Sequence, residues 1–445
     1  MAGRKHWLVA SVAGLTVLAG LPGCSEGPSL PKIGDLNPFK EKQVPLPGKR
    51  IPIMQVQEKL PGELAAADRP VVLPPARSND AWSQPGGAAN NAPGHLALAS
   101  AVKQGWSADA GTGSGGSGRL TASPIVYDGR IYTLDGAATV TAFGTGGGGA
   151  QWRVALVPEG EKAKEAAGGG VAADNGRIYA VSGFGLLAAL DPKTGKKLWE
   201  KNLGTPVRSA PTAASDRVFV VSKDGSFFCI SGTDGSELWV TRGLPQTASL
   251  ITATSPAVDG DIVVVPYSSG EVAALRVSDG TAVWTESLAR TRQTSQLNAL
   301  SDAARPAIDG GTVFAVGHAG RMIATQQRTG ERLWSLNVPG TQTPWVAGDN
   351  VFVVDTAGQL LAISRREGKI VWTVQLPGGG GWSGPTLAGD RLWLASGKGT
   401  LIGVEATTGK VVTQQDLGQP VHIAPVVAQG RMYILTDKAR LITLN

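Results

Sequence analysis

Gly176-Arg177-Ile178-Tyr179-Ala180-Val181, then Gly185-Leu186-Leu187-Ala188-Ala189-Leu190, then Asp191-Pro192-Lys193-Thr194-Gly195-Lys196-Lys197-Leu198-Trp199 stand close together in the chain and decide its fold. Short apolar, β-branched and aromatic runs, punctuated by Gly and by Asp-Pro-Lys-Thr-Gly, read as strand, turn, strand, turn, strand. The unit recurs in both directions. Its first strand places an aromatic at Tyr132, Tyr179, Phe219, Phe314, Phe352, Trp393 and Tyr433, and Val263 takes that slot in the copy at 261–265. A turn pair precedes each strand: Asp128-Gly129, Asn175-Gly176, Ser215-Asp216, Asp259-Gly260, Gly310-Gly311, Gly348-Asp349, Gly389-Asp390 and Gln429-Gly430. Most of these residues tolerate positive φ or cap turns with their own side chains. The third strand carries the sharpest mark. Gly stands four residues before Trp at Gly148/Trp152, Gly195/Trp199, Gly235/Trp239, Gly280/Trp284, Gly330/Trp334 and Gly368/Trp372, and Gly409 is followed by Thr413 in the Trp slot. A fixed offset means a fixed hairpin register, because a slip of one residue would turn the Trp to the other face.

A further short strand follows a Pro ahead of seven units, at Pro124, Pro211, Pro256, Pro306, Pro344, Pro385 and Pro425, while the second unit starts at Gly168-Gly169-Gly170-Val171. That makes four strands per unit. Tyr132 and Tyr433 lie 301 residues and seven units apart, a period of 43 residues. Four-stranded units of roughly 40–50 residues mark propeller blades. The eighth unit stops at Asn445 without its Trp-bearing strand, and residues 102–108, with Trp106, supply a candidate for it. The chain therefore predicts an all-β, eight-bladed propeller over 95–445, closed by an N-terminal strand that completes the C-terminal blade. The Trp residues are expected to pack between blades, with each indole N–H on nearby backbone.

Composition agrees and excludes alternatives. The 445 residues include 61 Gly and 28 Pro. This disfavours a helical bundle, since Gly costs roughly 1 kcal/mol at a helix-interior site. Only two Cys and four His are present, at 6, 95, 318 and 422 with no ligand spacing, so neither a disulfide scaffold nor a metal cluster is expected. Cys229, in Phe227-Phe228-Cys229-Ile230, reads as a small buried hydrophobe. The net charge of +6 is modest and no basic cluster interleaves with aromatics, which argues against a nucleic-acid partner. The Gly runs at 113–118 and 146–149 lack the Lys and helix of a phosphate loop and read as surface loops.

Residues 1–24 read as a secretory signal: Arg4 and Lys5, an apolar run at 7–21, then Leu21-Pro22-Gly23-Cys24. That end resembles a bacterial lipoprotein processing site, which implies acyl chains on Cys24 and, with Ser25 after it, export to the outer membrane. Residues 25–94 contain 12 Pro and read as an extended tether.

The string from Ala189 to Trp199 resembles the repeat of pyrroloquinoline-quinone (PQQ)-type propellers. Within that superfamily the chain resembles the BamB family, lipoprotein propeller subunits of the outer-membrane β-barrel assembly machinery. The lipoprotein leader, the length of one propeller, the ring closure, Leu300-Ser301-Asp302 before Pro306, and the lead Trp82-Ser83-Gln84-Pro85-Gly86-Gly87 carry the resemblance. It implies a non-catalytic scaffold on the periplasmic side of the outer membrane. It further implies docking on a POTRA domain of the barrel subunit BamA through the loops at 245–254 and 288–305, contact with other subunits of the machinery, and proximity to unfolded barrel clients. Leu250 and Asp302 match contact positions of the family, whereas Ile251 stands where the pattern has a basic residue and Ala304 where it has a second acid. Ile251, Leu300 and Arg305 join them as candidate contacts, and Arg290 and Arg292 lie close by. The alternative that the fold class allows is a PQQ-dependent dehydrogenase. It needs Ca²⁺ on carboxylates and a catalytic carboxylate base. Here Asp128, Asp191, Asp259, Asp279 and Asp349 occupy turn slots of the repeat, so no cofactor is expected.

Overall fold

The computed structural model describes residues 70–445 apart from 116–117, 166–167, 244–253 and 290–301. These residues form eight four-stranded antiparallel sheets. In blade 1 the strands are Ile125–Tyr127, Arg130–Leu134, Thr139–Gly144 and Ala150–Ala155, running outward from the axis. Blades 2 to 7 repeat the pattern over 169–202, 212–242, 257–287, 307–336, 345–375 and 382–416. Blade 8 takes Val426–Ala428, Arg431–Leu435 and Arg440–Leu444 from the C-terminus and Gln104–Asp109 from the N-terminus. In that pairing Gln104 faces Leu444 and Asp109 faces Arg440. The two ends are locked further by Lys103 N–H to Asn445 O at 2.9 Å and Asn445 N–H to Lys103 O at 2.8 Å.

The core lies between blades. Successive side chains of a strand point to opposite faces, so each blade serves two neighbours. Val171, Ala180 and Ala188 of blade 2 pack on Ile125, Leu134 and Val140 of blade 1. Ala172, Tyr179 and Ala189 turn the other way, onto Ala213, Val218 and Val220 of blade 3.

The Trp slot is explained by one cross-strand row. Tyr132 faces Ala142, which faces Trp152; Tyr179, Ala189 and Trp199 repeat the row. The small middle residue lets the two flanking rings meet over it, with centroids 5.7 and 6.0 Å apart. Cys229 fills the middle position between Phe219 and Trp239, and burial pushes its thiol up to about 12. It is a packing residue, as its apolar surroundings predict.

Each Trp then reaches the next blade. The indole N–H groups of Trp106, Trp152, Trp199, Trp239, Trp284, Trp334 and Trp372 donate to backbone carbonyls of the following blade at 2.7–3.2 Å. Each ring covers that blade's turn Gly. A Cβ built on Gly195, at φ +72°, would stand 2.7 Å from the Trp152 ring. The Gly is thus required twice over, by its backbone and by its neighbour.

One assignment shifts by a residue. In blade 4 Asp259 pairs with Ile262 and Ala257 with Val264, so the turn is Gly260-Asp261 and the aromatic slot belongs to Val264, not Val263. The dipeptide Asp259-Gly260 imitates Asp128-Gly129, but without an aromatic to fix the register the sequence aligns one position early.

Residues 70–94, read as part of the tether, are packed into the ring. Pro and Gly give the same composition to a free spacer and to an extended strap bonded to something else. Trp82, 3% exposed, is the signal that separates the two.

Candidate functional site

A propeller offers two places for chemistry, its axis and its loops. The innermost strands present unpaired N–H and C=O groups to the axis, and the strap meets them blade by blade. Asn79 accepts from Gln429 N and donates through Nδ2 to Val427 O in blade 8. Trp82 N and O pair with Val126 of blade 1, and Ser83 O accepts from Ala173 N of blade 2. The Gln84 side chain joins two blades, Nε2 donating to Ala173 O and Ala213 O at 2.8 Å and Oε1 accepting from Ala213 N at 3.0 Å. Ala89 O takes Val258 N in blade 4 and Asn90 O takes Ile308 N in blade 5. The Asn91 Nδ2 donates to Pro256 O and Pro306 O of the same two blades. Gly94 O accepts from Trp345 Nε1 of blade 6, and Leu96 pairs with blade 7 at Leu387 O and Gly389 N. From 79 to 96 the chain thus makes one circuit of the ring. His95 belongs to this strap: its Nδ1 lies 2.7 Å from Pro74 O and its Nε2 accepts from Asp390 N at 3.1 Å. That is a structural role.

On the other side of the strap the axis opens into a cavity of about 730 Å³, with Arg119, His318, Asp355, Trp382, His422 and Asp437 in its wall. Its acids are engaged. Asp355 accepts from Gln359 N at 2.7 Å, the turn cap that Asp135 makes to Thr139 N in blade 1, and Asp437 accepts from Ser114 Oγ. Burial raises the Asp355 carboxyl above its usual value against those turn N–H groups. Burial also lowers the His422 imidazole, and Arg119 adds to the effect. Among the described residues no three His, Cys, Asp or Glu gather as metal ligands. The carboxylates singled out in the sequence lie apart, Asp259 at the end of a strand and the others on turns. Asp191 accepts from Lys193 N and Thr194 N, and the Thr194 hydroxyl and N–H hold its carboxyl below the usual range. Asp279 caps Thr281 N and is lowered by it. Asp128 pairs with Arg130 at 3.3 Å and Asp349 with Arg366 at 3.7 Å. This donor set does not fit Ca²⁺ with PQQ.

Of the candidate docking residues, Cys24, Leu250, Ile251 and Leu300 lie outside the described residues. Asp302 is 5% exposed and lines a depression with Arg208, Lys223 and Tyr267 between blades 3, 4 and 5. Its carbonyl accepts from His318 N, and Ala303 bridges to Gly317. Arg305 is not on that surface. It is 6% exposed and turns inward, its Nε donating to Ser255 Oγ at 2.8 Å and Nη1 to Pro85 O of the strap at 3.2 Å. Charge and loop position suggest a surface residue; the Pro85 carbonyl, brought to the axis by the strap, draws it in. The strap roles of Gln84 and Asn91 escape the sequence reading, and their one signal is an amide side chain one or two residues before a Pro, at Pro85 and Pro93.

Comparison with known proteins gives the relationship. Residues 136–374 and 367–445 match the family described as outer membrane protein assembly factor BamB. An uncharacterised protein of Rickettsia prowazekii is 29% identical over 167 residues, 37% of this chain and 40% of that protein. The outer membrane protein assembly factor BamB of Shewanella oneidensis is 30% identical over 192 residues, 41% of this chain and 48% of the relative. The matched segment spans less than half the length of these relatives. The crystal structure of BamB from Moraxella catarrhalis superposes with a TM-score of 0.67 at 17% identity, covering 78% of this chain and all of that one. Quinohemoprotein alcohol dehydrogenase from Comamonas testosteroni does so at 0.65 and 13% identity, over 83% and 81%. Likeness at these identities shows the shared fold.

Proposed function

This chain belongs to the family of outer membrane protein assembly factor BamB, and from that premise we propose that it is a non-catalytic scaffold of the outer-membrane β-barrel assembly machinery. It is anchored through acylated Cys24 on the periplasmic side and docks on a POTRA domain of BamA through its loops at 245–254 and 288–305. The family match across residues 136–445 carries the reading. Leu250, Ile251 and Leu300 supply an apolar contact, and Asp302 sits at the foot of the second loop. Large aliphatics rimmed by polar residues suit a partner surface. The strap across the axis and the turn-capping acids favour a body built for shape. Incoming barrel segments reach the outer strands of the blades, where an extended chain can add by strand augmentation.

Leu250→Glu is expected to reduce BamA recovered in a pull-down at least several-fold while the thermal midpoint of the protein stays within about 1 °C. Undiminished recovery removes that loop from the interface.

The likeness to a quinohemoprotein alcohol dehydrogenase supports one rival reading, a periplasmic quinoprotein. Incubation with PQQ and Ca²⁺ followed by alcohol-dependent dye reduction separates the two. No turnover is expected, and turnover would replace the scaffold.

A further inference from the structure

Behind the open axial cavity lies a smaller one, about 30 Å³, walled by Trp82, Pro85 and Gly86 of the strap and by Arg305, Gln342 and His422 of the ring. Gln342 and His422 also line the larger cavity, which at one point follows the same wall. The small chamber thus shares a wall with the larger cavity and is bounded on its other side by the strap.

Two donors in the wall of this chamber are under-used. A guanidinium carries five N–H groups. Arg305 commits only Nε and Nη1 to protein acceptors, and both acceptors, Ser255 Oγ and Pro85 O, are neutral. No carboxylate among the described residues forms an ion pair with it. Its burial without a counter-charge lowers its pKa to about 10. The indole N–H of Trp82 is buried and has no acceptor. The seven Trp N–H groups of the interblade series all find carbonyls, as do those of Trp345 and Trp393, and Trp82 differs from them. A buried cation without a counter-charge and a buried N–H without an acceptor are both costly, and Arg305 and Trp82 line the same chamber.

We propose that Arg305 and Trp82 form a binding site for a carboxylate in this chamber, reached from the larger cavity. The planar guanidinium fork matches a planar carboxylate, and the indole N–H offers a further donor to its oxygens. A chamber of about 30 Å³ admits such a group more readily than a tetrahedral phosphate dianion, whose second charge one guanidinium leaves unbalanced. The rest of the ligand, where there is more, lies in the larger polar cavity. The carboxylate can come from a free small acid or from the terminus of an extended chain that enters the mouth.

The test uses the full chain in detergent at constant ionic strength, exchanging chloride for formate or acetate. A ligand that binds only the folded state raises its midpoint. The wild type is expected to gain about 3 °C at 100 mM formate, and ¹³C-formate resonances to broaden in its presence. Trp82→Phe keeps the ring and removes the donor, so it should lower the affinity at least several-fold with little change in the salt-free midpoint. Arg305→Met should abolish both the shift and the broadening. A short peptide with a free C-terminus competing with formate, where its amidated form does not, identifies an extended chain as the source. Competition by small acids alone identifies a free acid. No formate-dependent shift in the wild type, or equal shifts in wild type and both variants, overturns the site; the Trp82→Phe comparison decides if Arg305→Met does not fold.

Discussion

Seven of the eight junctions between blades are built alike, and the eighth is not. At the seven, a Trp from one outer strand lies on the turn Gly of the next blade and donates to a carbonyl there. Between blades 7 and 8 the Trp slot holds Thr413, because blade 8 has no such turn: its last two strands come from opposite ends of the chain. What remains in that row is the second-strand aromatic, here a Trp. Trp393 takes the second-strand slot and lies over Gly403, whose Cβ would stand 3.1 Å from the ring and 3.2 Å from Thr413. Arg391 bridges the gap, bonding Thr413 Oγ1 at 3.0 Å and the carbonyl of Ser100 in the incoming chain. A Trp is thus worth having only where a neighbour offers a Gly seat and a free carbonyl. Closure is carried by backbone pairing and by the strap.

That contrast can be broken from either side. Trp334→Ala removes one of the more deeply buried rings in the series, and should lower unfolding free energy by about 3–5 kcal/mol in denaturant titrations. Gly195→Ala puts a methyl into the Trp152 ring at positive φ, and a loss of about 1–3 kcal/mol is expected. At the closing junction the sign of the same exchange reverses. Thr413→Trp adds a ring with no Gly seat and should destabilise by about 1–3 kcal/mol, where a stabilisation would mean the seat exists after all. Gln84→Ala strips three hydrogen bonds from the inner edges of blades 2 and 3, leaving buried backbone groups unpaired at a cost of about 1–3 kcal/mol. A change below about 0.5 kcal/mol there would mean that the strap contributes little to the ring.

The repeat was legible because packing imposes it. The Gly-to-Trp offset is a register constraint visible in six copies, and the missing strand after Leu441 points to Trp106. Blade 4 aligns one position early because Val264 leaves no aromatic signature, and hydropathy does not distinguish one-residue shifts in a valine run. The strap was invisible for a different reason. Its partners are backbone groups of seven blades and the Trp345 indole of blade 6, which leave no mark in any local pattern. A charged side chain at Arg305 reads as a surface residue on the same grounds, since only the strap, with its Pro85 carbonyl, explains why a guanidinium turns to the axis. Of the interface residues, Asp302 alone falls where the structure describes the candidate depression.

The central claim is that the N-terminal lead is structural, sealing the axis by bonding to the inner edge of the blades. Hydrogen exchange of the Ala173, Ala213, Val258 and Ile308 amides tests it directly, because each donates to the strap and to nothing else in its own sheet. In the full chain these amides should exchange as slowly as the second-strand amides beside them, and in a chain beginning at residue 99 they should exchange at least a hundredfold faster while the outer strands stay protected. Fast exchange in the full chain, or unchanged protection once the lead is gone, would contradict the account.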